Sequence, residues 1–132
     1  MMYALDTNTL IYFFKGSGRV GANLLAHPPS EIAIPIVVVY EIEFGLAKST
    51  RPKQRRQQFE QLLSGVSLLP FDRAAATRAA ELRADLERRG LPIGPLDTLI
   101  AGTTLAHRAT LVTHNTREFS RIPGLELVDW YD

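Results

Sequence analysis

The 132-residue sequence has no cysteine. That excludes disulfides, thiolate nucleophiles and cysteine-based zinc sites together, and it suits a reducing compartment. Net charge is nearly absent too: 15 Lys and Arg face 14 Asp and Glu. No global field draws the chain to nucleic acid, so any such binding has to come from a local patch. Long apolar runs are also missing. The longest, Ile32 to Tyr40, is broken by Pro35 and falls far short of a membrane span. No basic segment followed by an apolar stretch opens the chain, which meets an acid at Asp6. The sequence therefore reads as lacking a signal peptide, and the expected location is the cytoplasm. The three histidines, at 27, 107 and 114, have no metal-ligand spacing.

With 45% hydrophobic residues the chain can bury the core of one domain and has no room for a second. Short apolar runs alternate with helical stretches, which predicts an α/β domain around a mainly parallel sheet. Strands are expected at 3–6, 31–35, 66–70, 110–113 and 125–128. Helices are expected at 7–15, 19–26, 51–63, 73–89 (capped by Asp72) and 95–108. The segment 36–48 is ambiguous: Ile36 to Val39 favour a strand by propensity, whereas 40–48 patterns as a helix, and a helix is expected there.

Ligands of open α/β sheets sit beyond the carboxyl ends of the strands. Asp6 ends the first strand, Asp97 opens the helix after Gly94-Pro95, and Asn115 lies just past the fourth strand. Glu41 interrupts an apolar stretch between Tyr40 and Ile42. Each residue also has a purely structural reading: Asp6 and Asp97 as helix N-caps, Asn115 as a turn residue, Glu41 paired with an Arg. Convergence at strand ends favours a shared site. Three carboxylates and an amide, without Cys or paired His, suit a hard cation such as Mg²⁺ or Mn²⁺. Thr7, Asn8 and Thr113 flank the acids and can orient them, or simply cap.

Four blocks then match a family in order and spacing: Leu-Asp-Thr-Asn-Thr-Leu-Ile at 5–11, Tyr-Glu-Ile-Glu-Phe-Gly at 40–45, Gly-Pro-Leu-Asp-Thr-Leu-Ile-Ala at 94–101 and Leu-Val-Thr-His-Asn-Thr-Arg-Glu-Phe at 111–119. Together they resemble the PIN domain of VapC-type toxins from toxin-antitoxin pairs. The resemblance implies a three-layer α/β/α sandwich over 1–132, Mg²⁺-dependent cleavage of RNA, and a homodimer held by a cognate antitoxin. It places the family's metal-binding acids on Asp6, Glu41 and Asp97. Many relatives carry an Asp in the final block, where this chain offers Asn115, the better match, or Glu118.

Rival readings remain. Gly16, Gly18 and Gly21 satisfy a dinucleotide-binding fingerprint, which would need residues 9–14 to be a strand. A receiver-type domain would want paired acids after the first strand and a late Lys, but the last Lys is Lys53. A non-catalytic PIN-like module would bind RNA or protein without cutting it, yet gains nothing from clustered acids. Ile11, Tyr12, Phe13 and Phe14 are read as a possible contact surface in competition with the core. The run Arg51, Lys53, Arg55, Arg56 reads as a solvated face that could also meet phosphates.

Overall fold

The computed structural model describes all 132 residues. Five strands, β1 (Tyr3–Leu5), β2 (Ile32–Pro35), β3 (Ser67–Leu69), β4 (Thr110–Val112) and β5 (Leu127–Val128), form one sheet in the order β3-β2-β1-β4-β5. Every pairing is parallel. Parallel sheets are covered on both faces, and the central strands show it: all four residues of β2 are buried. Side chains alternate between two cores. Leu5, Ile32 and Ile34 join the large one, whereas Ala4 and Ala33 face a smaller cluster with Leu69 and Ala109.

The helices are α1 (Thr7–Lys15), α2 (Val20–Leu25), α3 (Ile36–Lys48), α4 (Lys53–Leu63), α5 (Arg73–Arg88), α6 (Pro95–Ala106) and the short α7 (Thr116–Phe119). With the sheet they build the α/β/α arrangement expected of the sequence. Asp72 caps α5 as read, its Oδ1 accepting from the Ala75 N–H at 2.9 Å. The ambiguous segment is helical. Val38, Ile42 and Leu46 form its buried stripe, while Ile36, Tyr40 and Phe44 form a second, exposed stripe. Two apolar stripes on one helix blur the period, which explains the ambiguity. Sequence reading missed α7 and a 3₁₀ turn at Pro29–Glu31. Both are too short to display a period.

Helices α5 and α6 cross at Gly102, where an added Cβ would lie 2.6 Å from the Ala79 Cβ and 2.7 Å from its backbone. Only glycine allows that approach. The dinucleotide reading fails on geometry: residues 9–14 belong to α1, and Gly16, at φ +69°, ends that helix instead of following a strand. No helix is long and apolar enough to cross a membrane.

Candidate active site

Because all strands run one way, their carboxyl ends share an edge, and the chain connections diverge between β1 and β4 at its centre. Asp6 stands there. Its N–H donates to the Val112 carbonyl at 3.1 Å, extending the ladder by one step beyond β1. Its Oδ1 accepts from the Thr9 N–H at 2.9 Å, so Asp6 does cap α1. The Thr113 side chain stands beside the carboxylate and favours its charged form. Thr9 in turn donates its hydroxyl to the Val112 carbonyl at 3.1 Å, locking α1 to β4. Burial, followed more weakly by the charge of Asp129, pushes the Asp6 carboxyl above its ordinary range, against those hydrogen bonds.

Asp97 is not a cap. Gly94 occupies that position, and Asp97 lies in the first turn of α6. Its carboxyl is pushed up to about 6, first by burial and then by the charges of Asp6, Glu41 and Glu118. Three carboxylates from three other places in the fold therefore act on Asp97. None of the four pairs with a Lys, Arg or His. Glu41 is held on α3 by the Thr7 hydroxyl, which donates to its Oε1 at 2.5 Å.

Asn115 and Glu118, the two candidates for the fourth position, are bonded to each other. Asn115 Nδ2 donates to Glu118 Oε2 at 2.9 Å, and the Asn115 N–H donates to Thr113 Oγ1 at 3.0 Å. The i, i+3 spacing across the start of α7 lets the Asn115 amide hold the Glu118 carboxylate. Asn8 is exposed on α1 and does not join the network.

Sequence reading missed Asp129, which follows β5. Its Oδ2 lies 2.8 Å from His114 Nδ1, and His114, Asp129 and Asp132 bring ligand-capable atoms within 4.8 Å of one another. Only the pairing of β5 with β4 reveals this, so no local signal could have found it. The basic run is less free than expected. Arg55 lies over the Phe14 ring, and Arg56 bonds Glu43 at 2.7 and 2.9 Å, which holds the Glu43 carboxyl below its usual range. The reading of residues 11–14 as a surface also shifts: Phe14 is buried, and Ile11 and Phe13 pack against the core.

The family model for the PIN domain matches residues 3–125. Ribonuclease VapC2 of Rickettsia felis is 39% identical over 132 residues, covering 98% of each chain. The tRNA(fMet)-specific endonuclease VapC of Shigella flexneri is 35% identical over 130 residues, again covering 98% of each. Among solved structures, DNA-bound VapBC from Salmonella typhimurium superposes with a TM-score of 0.91 at 34% identity, covering 98% of each chain. The motif blocks, the parallel sheet and these full-length similarities agree: the chain belongs to the PIN-domain family, among the VapC proteins.

Proposed function

We propose that the chain is a single-domain, metal-dependent endoribonuclease, the toxin of a toxin-antitoxin pair acting in the cytoplasm. One observation carries the reading: Asp97 is half-buried among Asp6, Glu41 and Glu118 without a basic partner. Like charges gathered out of water are costly unless a cation joins them. An all-oxygen donor set suits Mg²⁺, with Mn²⁺ as a substitute. Asp6, Glu41 and Asp97 would hold the ion, with Glu118 completing the set.

A divalent cation there supplies Lewis acidity, lowering the pKa of a coordinated water and neutralising phosphate charge, so that hydrolysis leaves a 5′-phosphate and a 3′-hydroxyl. The remaining work falls to the chain. The Thr9 N–H fixes the Asp6 carboxylate, Thr7 fixes Glu41, and Asn115 fixes Glu118. Each acid is thus aimed by a hydroxyl, amide or backbone N–H, except Asp97, which is aimed by its place in α6.

The Shigella relative makes tRNA the first substrate to test. Purified protein freed of antitoxin should cut RNA with Mg²⁺ or Mn²⁺ and stop with EDTA. Asp97→Asn should stay folded and lose at least about 100-fold in rate, the scale on which a single electrostatic contact to the transition state counts. Undiminished cutting by this variant, or cutting that persists in EDTA, removes the metal-centre reading. The family resemblance further supports a homodimer, and the exposed stripe Ile36, Tyr40 and Phe44 on α3 offers the face for it.

A further inference from the structure

The acid-bearing edge continues past Asp6 into a group of rings. β4 and β5 are neighbours in register, Val112 opposite Val128, so residues 113–115 and 129–131 leave the sheet side by side. His114 sits between Thr113, which stands beside Asp6, and Asn115, which bonds Glu118. Its ring stacks on Tyr131, with centroids 4.2 Å apart and planes 23° apart. Tyr12 of α1 closes the group edge-on, 5.8 Å from His114 and 4.9 Å from Tyr131.

These rings are fixed in place. The Tyr131 N–H donates to Asp129 Oδ1 at 2.9 Å, and its carbonyl accepts from the Arg19 N–H at 2.8 Å. Gly18 lies so close that an added Cβ would stand 2.8 Å from the Tyr131 ring. Asp129 holds the imidazole orientation through Nδ1. Yet Tyr12 and Tyr131 lie outside the apolar core, and the His114 side chain keeps 39% of its surface exposed. Tyr131 covers one face of that imidazole, and Tyr12 packs perpendicular to it, so the exposed share of the side chain is what a ligand can reach. Asp129 and Asp132 beside the ring repel a phosphate, which makes a neutral π-system the better match for this spot.

We propose that Tyr12, His114 and Tyr131 form a stacking platform for one unpaired base of the RNA substrate, next to the phosphate on which the acids act. Unpaired bases are recognised in this way by aromatic side chains, including histidine. Rings ordered beforehand lose little freedom on binding. The proposal rests on the ribonuclease reading above and adds to it where the substrate lies.

The test is binding of a short single-stranded oligoribonucleotide carrying 2-aminopurine, measured by anisotropy and by quenching of that base, with Ca²⁺ replacing Mg²⁺ to suppress cutting. His114→Ala should weaken binding about 5- to 100-fold and abolish the quenching. His114→Phe keeps a π-face without either ring nitrogen and should restore both to within about threefold. Tyr131→Ala, checked for an unchanged far-UV spectrum, should behave like His114→Ala. Unchanged affinity in His114→Ala overturns the platform, as does equal loss in His114→Phe, which would mark a hydrogen-bonding role. Weakened antitoxin capture with RNA affinity intact makes the patch a protein contact and also overturns it. A parent that cuts RNA while His114→Ala binds normally sinks the platform alone; a parent that neither binds nor cuts sinks both readings.

Discussion

Asp97 shows how one side chain reports the state of the whole site. Its carboxyl titrates near 6 in the folded chain against an ordinary value of 3.8. The folded state therefore holds the proton more tightly than the unfolded state between those values. Stability contributed by protonation is complete below about 4, falls as pH rises through that window, and is lost above about 6. Asp97→Asn removes the ionisable group, and the carboxyl has no hydrogen-bond partner to lose. In EDTA at pH 8 the variant should melt a few degrees above the parent, with the gap closing toward pH 4. Saturating Mg²⁺ should raise the parent's melting temperature and leave the variant's nearly unchanged. A variant that melts lower at pH 8 would show that Asp97 supports the fold instead of straining it. Single residues were legible in the sequence to the extent that chemistry marks them. Asp6, Glu41 and Asp97 stood out as acids at strand ends or on apolar stretches. Asp129 did not, because its relevance arises from a strand pairing 15 residues away from His114. That Asn115 and Glu118 bond each other was hidden as well, because the four-residue α7 that brings them together is too short to display a period.

At the scale of elements, the close crossing of α5 and α6 carries a stability prediction. Gly102→Ala places a methyl against the Ala79 Cβ and backbone, so the helices must separate. Overpacking of this kind costs about 1–3 kcal/mol, to be measured by denaturant unfolding with an unchanged m-value. Ala79→Gly in the same chain relieves only the side-chain part of the clash and should recover part of the loss. A neutral Gly102→Ala would mean that the crossing is loose. The same helix carries Asp97 one to two turns earlier, so widening the crossing should also lower Mg²⁺ affinity. Most elements were readable because apolar period and Gly or Pro punctuation agreed, with boundaries shifting by one or two residues where helix ends wind down. α3 resisted because it wears apolar residues on two faces, and a single-face period cannot describe such a helix.

For the whole molecule, the second face of α3 sets the expected assembly. Ile36, Tyr40 and Phe44 are 40, 60 and 56% exposed and follow one another at every fourth residue. Tyr40→Ser with Phe44→Ser should convert a dimer into a monomer in light scattering at micromolar concentration, without lowering the melting temperature of the monomer. A parent that is monomeric throughout would remove α3 as a contact face. This surface could not be deduced from composition, because an apolar residue in sequence does not say whether the core or a second copy covers it.

The parallel sheet has one more consequence. Each helix that returns across it must point its amino end at the edge where the strands finish. α1 begins directly after Asp6, α3 directly after Pro35, α7 directly after Asn115, and Asp97 rides in the first turn of α6. A helix start carries roughly half a positive charge from its aligned peptide dipoles, with several N–H groups unpaired inside the helix. Asp6, as the cap of α1, and Asp97, in the first turn of α6, therefore sit in a positive backbone field. That field has no pKa and no side chain to mutate, so it persists at any pH at which the fold survives. It also faces the edge at which a phosphate would arrive.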